Sequence, residues 1–198
     1  MTGVQTCALP ILISNNIANM TTTGYKRRRP EFQDLLYQSQ RRIGAQSSSQ
    51  GTVVPAGVQL GLGVKTAAVY RINDQGDFVN TENDFDLAVP GQGYFVVELP
   101  DGTFAYTRSG NFQLSPEGKL VTPDGYTVSP GITVPQDAVE VSINQEGQVS
   151  AKIAGQTNQV ALGQLELATF VNQTGLEAVG DNLLRETEAS GPALVGPP

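Results

Sequence analysis

The side chains here that could do chemistry are carboxylates, amides, hydroxyls and one thiol, because the 198 residues include no histidine and a single cysteine, Cys7. Without an imidazole no Ser-His or Cys-His nucleophile pair can be built. A Cys/His zinc site fails for the same reason, and no disulfide can close within one chain. Asp84 and Asp86 form a carboxylate pair of the kind glycosidases use. On a strand, however, positions two apart share a face whatever their role, and an acidic protein carries many acids for solubility. The stretch Asn73, Asp74, Asp77, Glu82, Asp84, Asp86 offers oxygen ligands for calcium. It lacks the alternating register and the terminal Glu of an EF-hand loop, so turn chemistry explains it better. Gly91-Gln92-Gly93 is not followed by a phosphate-binding pattern, and its glycines fit a tight backbone turn. The run Lys26-Arg27-Arg28-Arg29 has one aromatic neighbour, Tyr25. A nucleic-acid groove needs more stacking platforms, so a solvated or interface-facing patch is the better reading. These patterns give no catalytic residue, no metal site, no cofactor and no nucleic-acid partner.

The elements that carry these residues are mostly short strands. Residues 1–60 hold six Lys/Arg against two acids, net +4, and residues 61–198 hold six against seventeen, net −11. That asymmetry describes a basic arm on an acidic body. Gly (22) and Pro (12) are frequent and Trp is absent, which favours turns and strands over a helix bundle. No apolar run reaches the eighteen or so residues that a membrane-spanning helix needs, and no cleavable signal peptide is expected.

Met1 to Ile11 (MTGVQTCALPI) resembles the in-frame translation of a sequencing-library adapter, and residues 1–11 are set aside from fold reasoning. In Leu12–Met20, Ile13, Ile17 and Met20 share one helical face, and Gly24 suits a left-handed cap after the threonines. Pro30, followed by Phe32, Leu35 and Leu36 on one face, predicts a short helix over 31–38. Residues 12–38 are thus expected to form an N-terminal segment with helix before the Gly24 exit and again over 31–38, followed over 39–57 by an extended Gly/Ser/Gln-rich linker or inter-subunit contact segment. From residue 58 the period becomes two. Pro100-Asp101-Gly102, Ser109-Gly110-Asn111, Pro123-Asp124-Gly125 and Asn144 to Gly147 punctuate strands at 64–72, 94–99, 103–107, 112–114, 119–122, 126–128, 139–143, 149–153 and 160–171. The expected fold is mainly β: a multi-stranded antiparallel β domain over 58–188, preceded by a short N-terminal helical segment. Residues 189–198 are expected to be a truncated linker with no closing element.

Three stretches together resemble one family. Ser14-Asn15-Asn16-Ile17-Ala18-Asn19-Met20 through Gly24-Tyr25-Lys26 is similar to the N-terminal signature of the bacterial flagellar rod and hook proteins. Gly91-Gln92-Gly93-Tyr94-Phe95 through Tyr106-Thr107-Arg108-Ser109-Gly110-Asn111-Phe112 resembles their β-domain core. Thr169-Phe170-Val171-Asn172 with Gly175-Leu176 and Asn182-Leu183 resembles the approach to their C-terminal helix. Within the family, Phe32 to Gln38 and the Gly44 to Gly63 stretch look like the distal-rod member.

The resemblance implies a helical homo-oligomer: a drive shaft in the periplasm-spanning basal-body rod. Its implied partners are proximal-rod and hook subunits, envelope ring proteins and the flagellar type III export apparatus, without membrane insertion. It also implies terminal helices that pair into an inner tube. Most of the N-terminal one and all of the C-terminal one are expected to be missing here. The assembly residues it points to are Asn15, Asn16, Ile17, Asn19, Gly24, Tyr25, Lys26, Phe32, Leu35, Leu36 and Tyr37. Asn side chains can satisfy backbone groups where a helix ends, and Gly24 can reverse the chain cheaply. The alternatives are a hook or proximal-rod subunit or, in another class, a β-rich extracellular binding module. Such a module should show clustered exposed aromatics or a metal-fixing acid cluster.

Overall fold

A computed structural model describes residues 3–44, 51, 56–155 and 158–198, with side chains from residue 9 onward. Helix α1 (Gly3–Ala18) is followed by strands β1 (Arg28–Asp34), β2 (Tyr37–Arg41), β3 (Val58–Gly61) and β4 (Val64–Arg71). Next come β5 (Tyr94–Glu98), β6 (Phe104–Thr107), β7 (Gln113–Leu114), β8 (Leu120–Val121), β9 (Thr127–Val128), β10 (Ala138–Ile143) and β11 (Gln148–Ile153). The last are β12 (Gln159–Gln164), β13 (Leu167–Thr169), β14 (Glu177–Gly180), β15 (Leu183–Arg185) and β16 (Leu194–Gly196). The mainly β, antiparallel expectation holds. The chain divides into two units: residues 1–18 with 27–72, and residues 19–26 with 73–198.

The first unit holds α1 and two antiparallel strand pairs, β1 with β4 and β2 with β3. The expected helix over 31–38 is therefore wrong. An isolated helix of that length is marginal in water, and β4 offers a partner for every residue of β1, from Arg28↔Arg71 to Asp34↔Val64. A bulge between Glu31 and Phe32 leaves Ala67 without a partner and bends the ribbon. Pro30, opposite Val69, is tolerated because a two-stranded sheet has only edges. Residues 58–71 consequently pair with 28–41, whereas the β domain had been expected to begin at 58. Every residue of β2 and β3 is exposed, and a lone two-stranded ribbon is marginally stable at best. Most of the expected 39–57 linker lies outside the described residues.

The second unit is built on a nine-stranded sheet that includes the run β14-β15-β6-β5-β9-β8-β7, with β13 joining β5 to β16. A separate sheet runs β10-β11-β12. Central β5 is buried at Tyr94, Phe95, Val96 and Val97. Since alternate side chains face opposite ways, it feeds two cores. Phe95 joins Phe112, Leu120, Val128, Ile132 and Val149 on one side. Tyr94 and Val96 join Tyr106, Ala168, Phe170 and Leu176 on the other. Edge-to-face rings knit both: Phe95 with Phe112 at 5.0 Å, and Tyr106 with Phe170 at 4.8 Å.

The turn residues behave as their chemistry predicts. Gly102 takes φ 77°, and Asp101 Oδ1 accepts from Thr103 N and Oγ1 at 3.0 and 2.6 Å. Those bonds hold the Asp101 carboxyl below the usual range. Asp181 and Asn182, both at positive φ, turn β14 into β15. Two expectations fail. The single strand over 160–171 is β12 and β13, because the chain leaves one sheet at Leu165 and enters the other at Leu167 to meet Phe95. The 189–198 segment is also not loose. Ser190 is buried and bonded to Thr187 and Gly191, and β16 closes on β13.

Tyr106 gives the core a pH signature. Its hydroxyl donates to Glu186 Oε2 at 3.4 Å. Desolvation first, then the Glu186 charge and this bond, push its pKa up to about 12 from 10.0. The folded value lies above the unfolded one, so the folded state holds the proton longer. The stability this contributes is complete below pH 10 and is lost as pH rises towards 12. Urea midpoints measured across that window should fall more steeply for the wild type than for Tyr106→Phe; parallel slopes would contradict the assignment.

Candidate functional site

Helix α1 ends at Ala18, and the chain must turn before β1 begins at Arg28. In the first unit, the Asn16 amide makes both bonds that a strand neighbour would make. Its Nδ2 donates to Arg28 O at 2.9 Å, and its Oδ1 accepts from Arg28 N at 2.9 Å. The helix end thereby sets the first rung of β1.

In the second unit, Thr22 N donates to Asn19 O at 3.1 Å and Tyr25 N to Thr22 O at 3.2 Å, two successive turns. The Thr22 hydroxyl also donates to Asn19 Oδ1 at 3.4 Å. Gly24 follows with φ 73°. A Cβ there would lie 2.7 Å from Ser109 N and 2.8 Å from Arg108 C. Glycine is thus required twice, by conformation and by backbone packing on backbone.

Arg108 lies with its backbone against this turn at Gly24. Its guanidinium donates to Gln75 Oε1 and Val89 O, both at 2.8 Å, and to the carbonyls of Gly91 and Gly93. One half-buried cation thus ties together residues 75, 89–93 and 107–109. Burial lowers its pKa, but a guanidinium stays charged. Lys26 Nζ donates to Asp74 O at 2.6 Å. Desolvation lowers the Lys26 pKa most, the Arg108 charge adds to this, and Asp74 opposes it.

The chemistry-bearing patterns resolve into scaffolding. Gly91 and Gly93 turn carbonyls towards a cation, the opposite polarity to a phosphate cradle. Asn83 spends its amide on turn bonds to Asp86 Oδ1 (2.9 Å) and Phe85 N (3.4 Å). Asp84 and Asp86 therefore flank a turn instead of sharing a strand face. Among the described residues, no group of three or more Cys, Asp or Glu is placed to hold a metal ion.

Residues 88–151, which contain β5 through most of β11, match the flagellar hook protein FlgE/F/G D1 domain. The hook protein FlgE of Borreliella burgdorferi is 37% identical, but only over 57% of this chain and 25% of its own length. The basal-body rod protein FlgG of Caulobacter vibrioides is 54% identical over 187 residues, covering 94% of this chain and 71% of itself. FlgG of Agrobacterium fabrum is 48% identical over the same shares.

The chain belongs to the FlgG family of flagellar basal-body rod proteins. It is a structural subunit of the distal rod, located in the flagellar basal body.

In this FlgG-family chain the expected site residues divide between the units: Asn15, Asn16, Ile17, Phe32, Leu35, Leu36 and Tyr37 in the first, and Asn19, Gly24, Tyr25 and Lys26 in the second. Asn16, Asn19, Gly24 and Lys26 are used within their own unit. Ile17, Leu36 and Tyr37 remain outside, at 65%, 83% and 59% exposure, as does Phe32. Asn15 is exposed on α1, and Tyr25 and Leu35 are half-buried. Sequence reasoning missed Arg108. The available signal was a lone arginine between a strand and a Ser-Gly-Asn turn, in the acidic part of the chain.

Proposed function

We propose that the chain self-assembles axially into the helical rod, and that residues 15–37 supply part of the subunit contact. The observation that supports this is a division of labour. Asn16 and Gly24, which are polar or small, fix the local path, whereas apolar Ile17, Leu36 and Tyr37 are left in water. Large apolar side chains exposed at several positions of the first unit are available for burial against a neighbouring copy.

On this reading, the rod meets proximal-rod subunits at one end and hook subunits at the other, lies inside envelope ring proteins, and receives its subunits from the flagellar type III export apparatus. It has no catalytic role and spans the periplasm as a torque shaft. Leu36→Asp and Ile17→Asp, made in the full-length protein, provide the test. Both positions are exposed, so monomer stability should move by no more than about 0.5 kcal/mol. Rod assembly, seen by electron microscopy of basal bodies, should fail together with motility. Normal rods carrying both substitutions would remove these residues from the contact.

A further inference from the structure

The boundary between the two units is also a boundary of charge. The first unit carries seven Lys/Arg against two Asp/Glu, net +5, and the second carries five against seventeen, net −12. Lys119–Glu117 at 3.4 Å and Arg185–Glu177 at 3.1 Å are ion pairs within the second unit. At the end of β2, Arg41 and Arg42 are exposed, and Ile43 beside them is 68% exposed.

The second unit contains an open groove of about 380 Å³. It runs between β7 and β10, each the end strand of its sheet. Phe85, Leu114, Val139 and Val141 give it apolar walls, and Asp84 and Glu140 are the charged side chains that line it.

We propose that this groove receives Arg41-Arg42-Ile43 from a second copy of the chain. Two cations followed by an apolar residue complement two carboxylates on an apolar floor. The contact joins two different surfaces, so a copy that fills a neighbour's groove can receive a third copy in its own, and the assembly can extend head-to-tail. Opposite charge at the rim steers the encounter, and the apolar floor excludes water from it. The inference rests on the self-assembly reading above and names the surface that one copy offers the next.

The test uses rods of the full-length protein, with any cysteine of its own changed to serine, assembled from an equal mixture of Arg42→Cys and Val139→Cys copies. Oxidation should give a two-chain adduct that neither copy gives alone. Adding Arg41→Glu to the Arg42→Cys copies should cut adduct yield by about tenfold at roughly 0.15 M salt, since like charges would then meet in the groove. Adding Asp84→Lys and Glu140→Lys to the Val139→Cys copies should restore it. Rods that assemble without a mixed adduct would overturn the proposal and leave the self-assembly reading intact. So would a bridge formed inside one chain carrying both cysteines, or a charge reversal that the compensating pair fails to rescue. If the unaltered full-length protein forms no rod at all, the self-assembly reading fails, and this inference fails with it.

Discussion

Gly110→Ala is expected to unfold the second unit or come close to doing so. A Cβ on Gly110 would lie 1.7 Å from Leu87 O and 2.7 Å from Leu87 C. Both obstacles are backbone, so no rotamer change can relieve the clash. The contact is close because the two segments pair: Leu87 N donates to Gly110 O at 2.8 Å, and Asp86 bridges Asn111. Pushing them apart breaks that pairing and shifts Phe112, which is 1% exposed against Phe95. Losing a buried phenylalanine alone costs about 3–5 kcal/mol, and the backbone displacement adds to it. Gly102→Ala is the control. Gly102 has open space around it, and only its φ of 77° resists a side chain, at about 1–2 kcal/mol. Urea denaturation should show a loss at Gly110 several times that at Gly102. Equal midpoints for the two variants would refute the steric argument.

Gly24→Val is expected to abolish rod formation while leaving the strands of the second unit folded. Valine is unfavourable at φ 73°, and its Cβ would meet the backbone of Arg108 and Ser109 at 2.7–3.0 Å. Together these should cost about 3 kcal/mol or more locally. The cheapest relief is for residues 19–26 to lift away, because both cores lie elsewhere. Lys26 would then lose Asp74 O, and the turn would lose its seat on residues 108–109. Amide exchange should rise at residues 22–25 and 109, with β5 and β6 still protected. Basal bodies should lack distal rods, and cells should not swim in soft agar. Motile cells with normal rods would show that this turn is dispensable.

Much of the second unit was legible from local chemistry. Asp-Gly and Asn-Gly-type turns at 101–102, 124–125 and 144–147 forced reversals wherever they occurred, and β5 to β11 fell between them. The first unit was misread because its pattern is ambiguous over a short range. Phe32, Leu35 and Leu36 fit a helical face, and only a partner more than thirty residues away, β4, decides for a strand. The break between β12 and β13 was hidden in the same way. Leu165 and Leu167 are both buried, so nothing in the apolar pattern marks the change of sheet. Gly24 could be read from its likely backbone conformation, but its contact with residues 108–109 could not. Ser109-Gly110-Asn111 looked like one turn among several, although Gly110 is needed for close approach and not for a positive φ.

The second unit is discontinuous: residues 19–26 belong with 73–198, and residues 27–72 are inserted between them. Closing a flexible loop of that length would cost about 3 kcal/mol of chain entropy. Pairing of β1 with β4 removes most of that cost in advance, because Ile72 N donates to Arg27 O at 3.0 Å and the ends of the insertion meet. The ribbon acts as a zipper that brings the two halves of the second unit to one place, whatever lies beyond its far end.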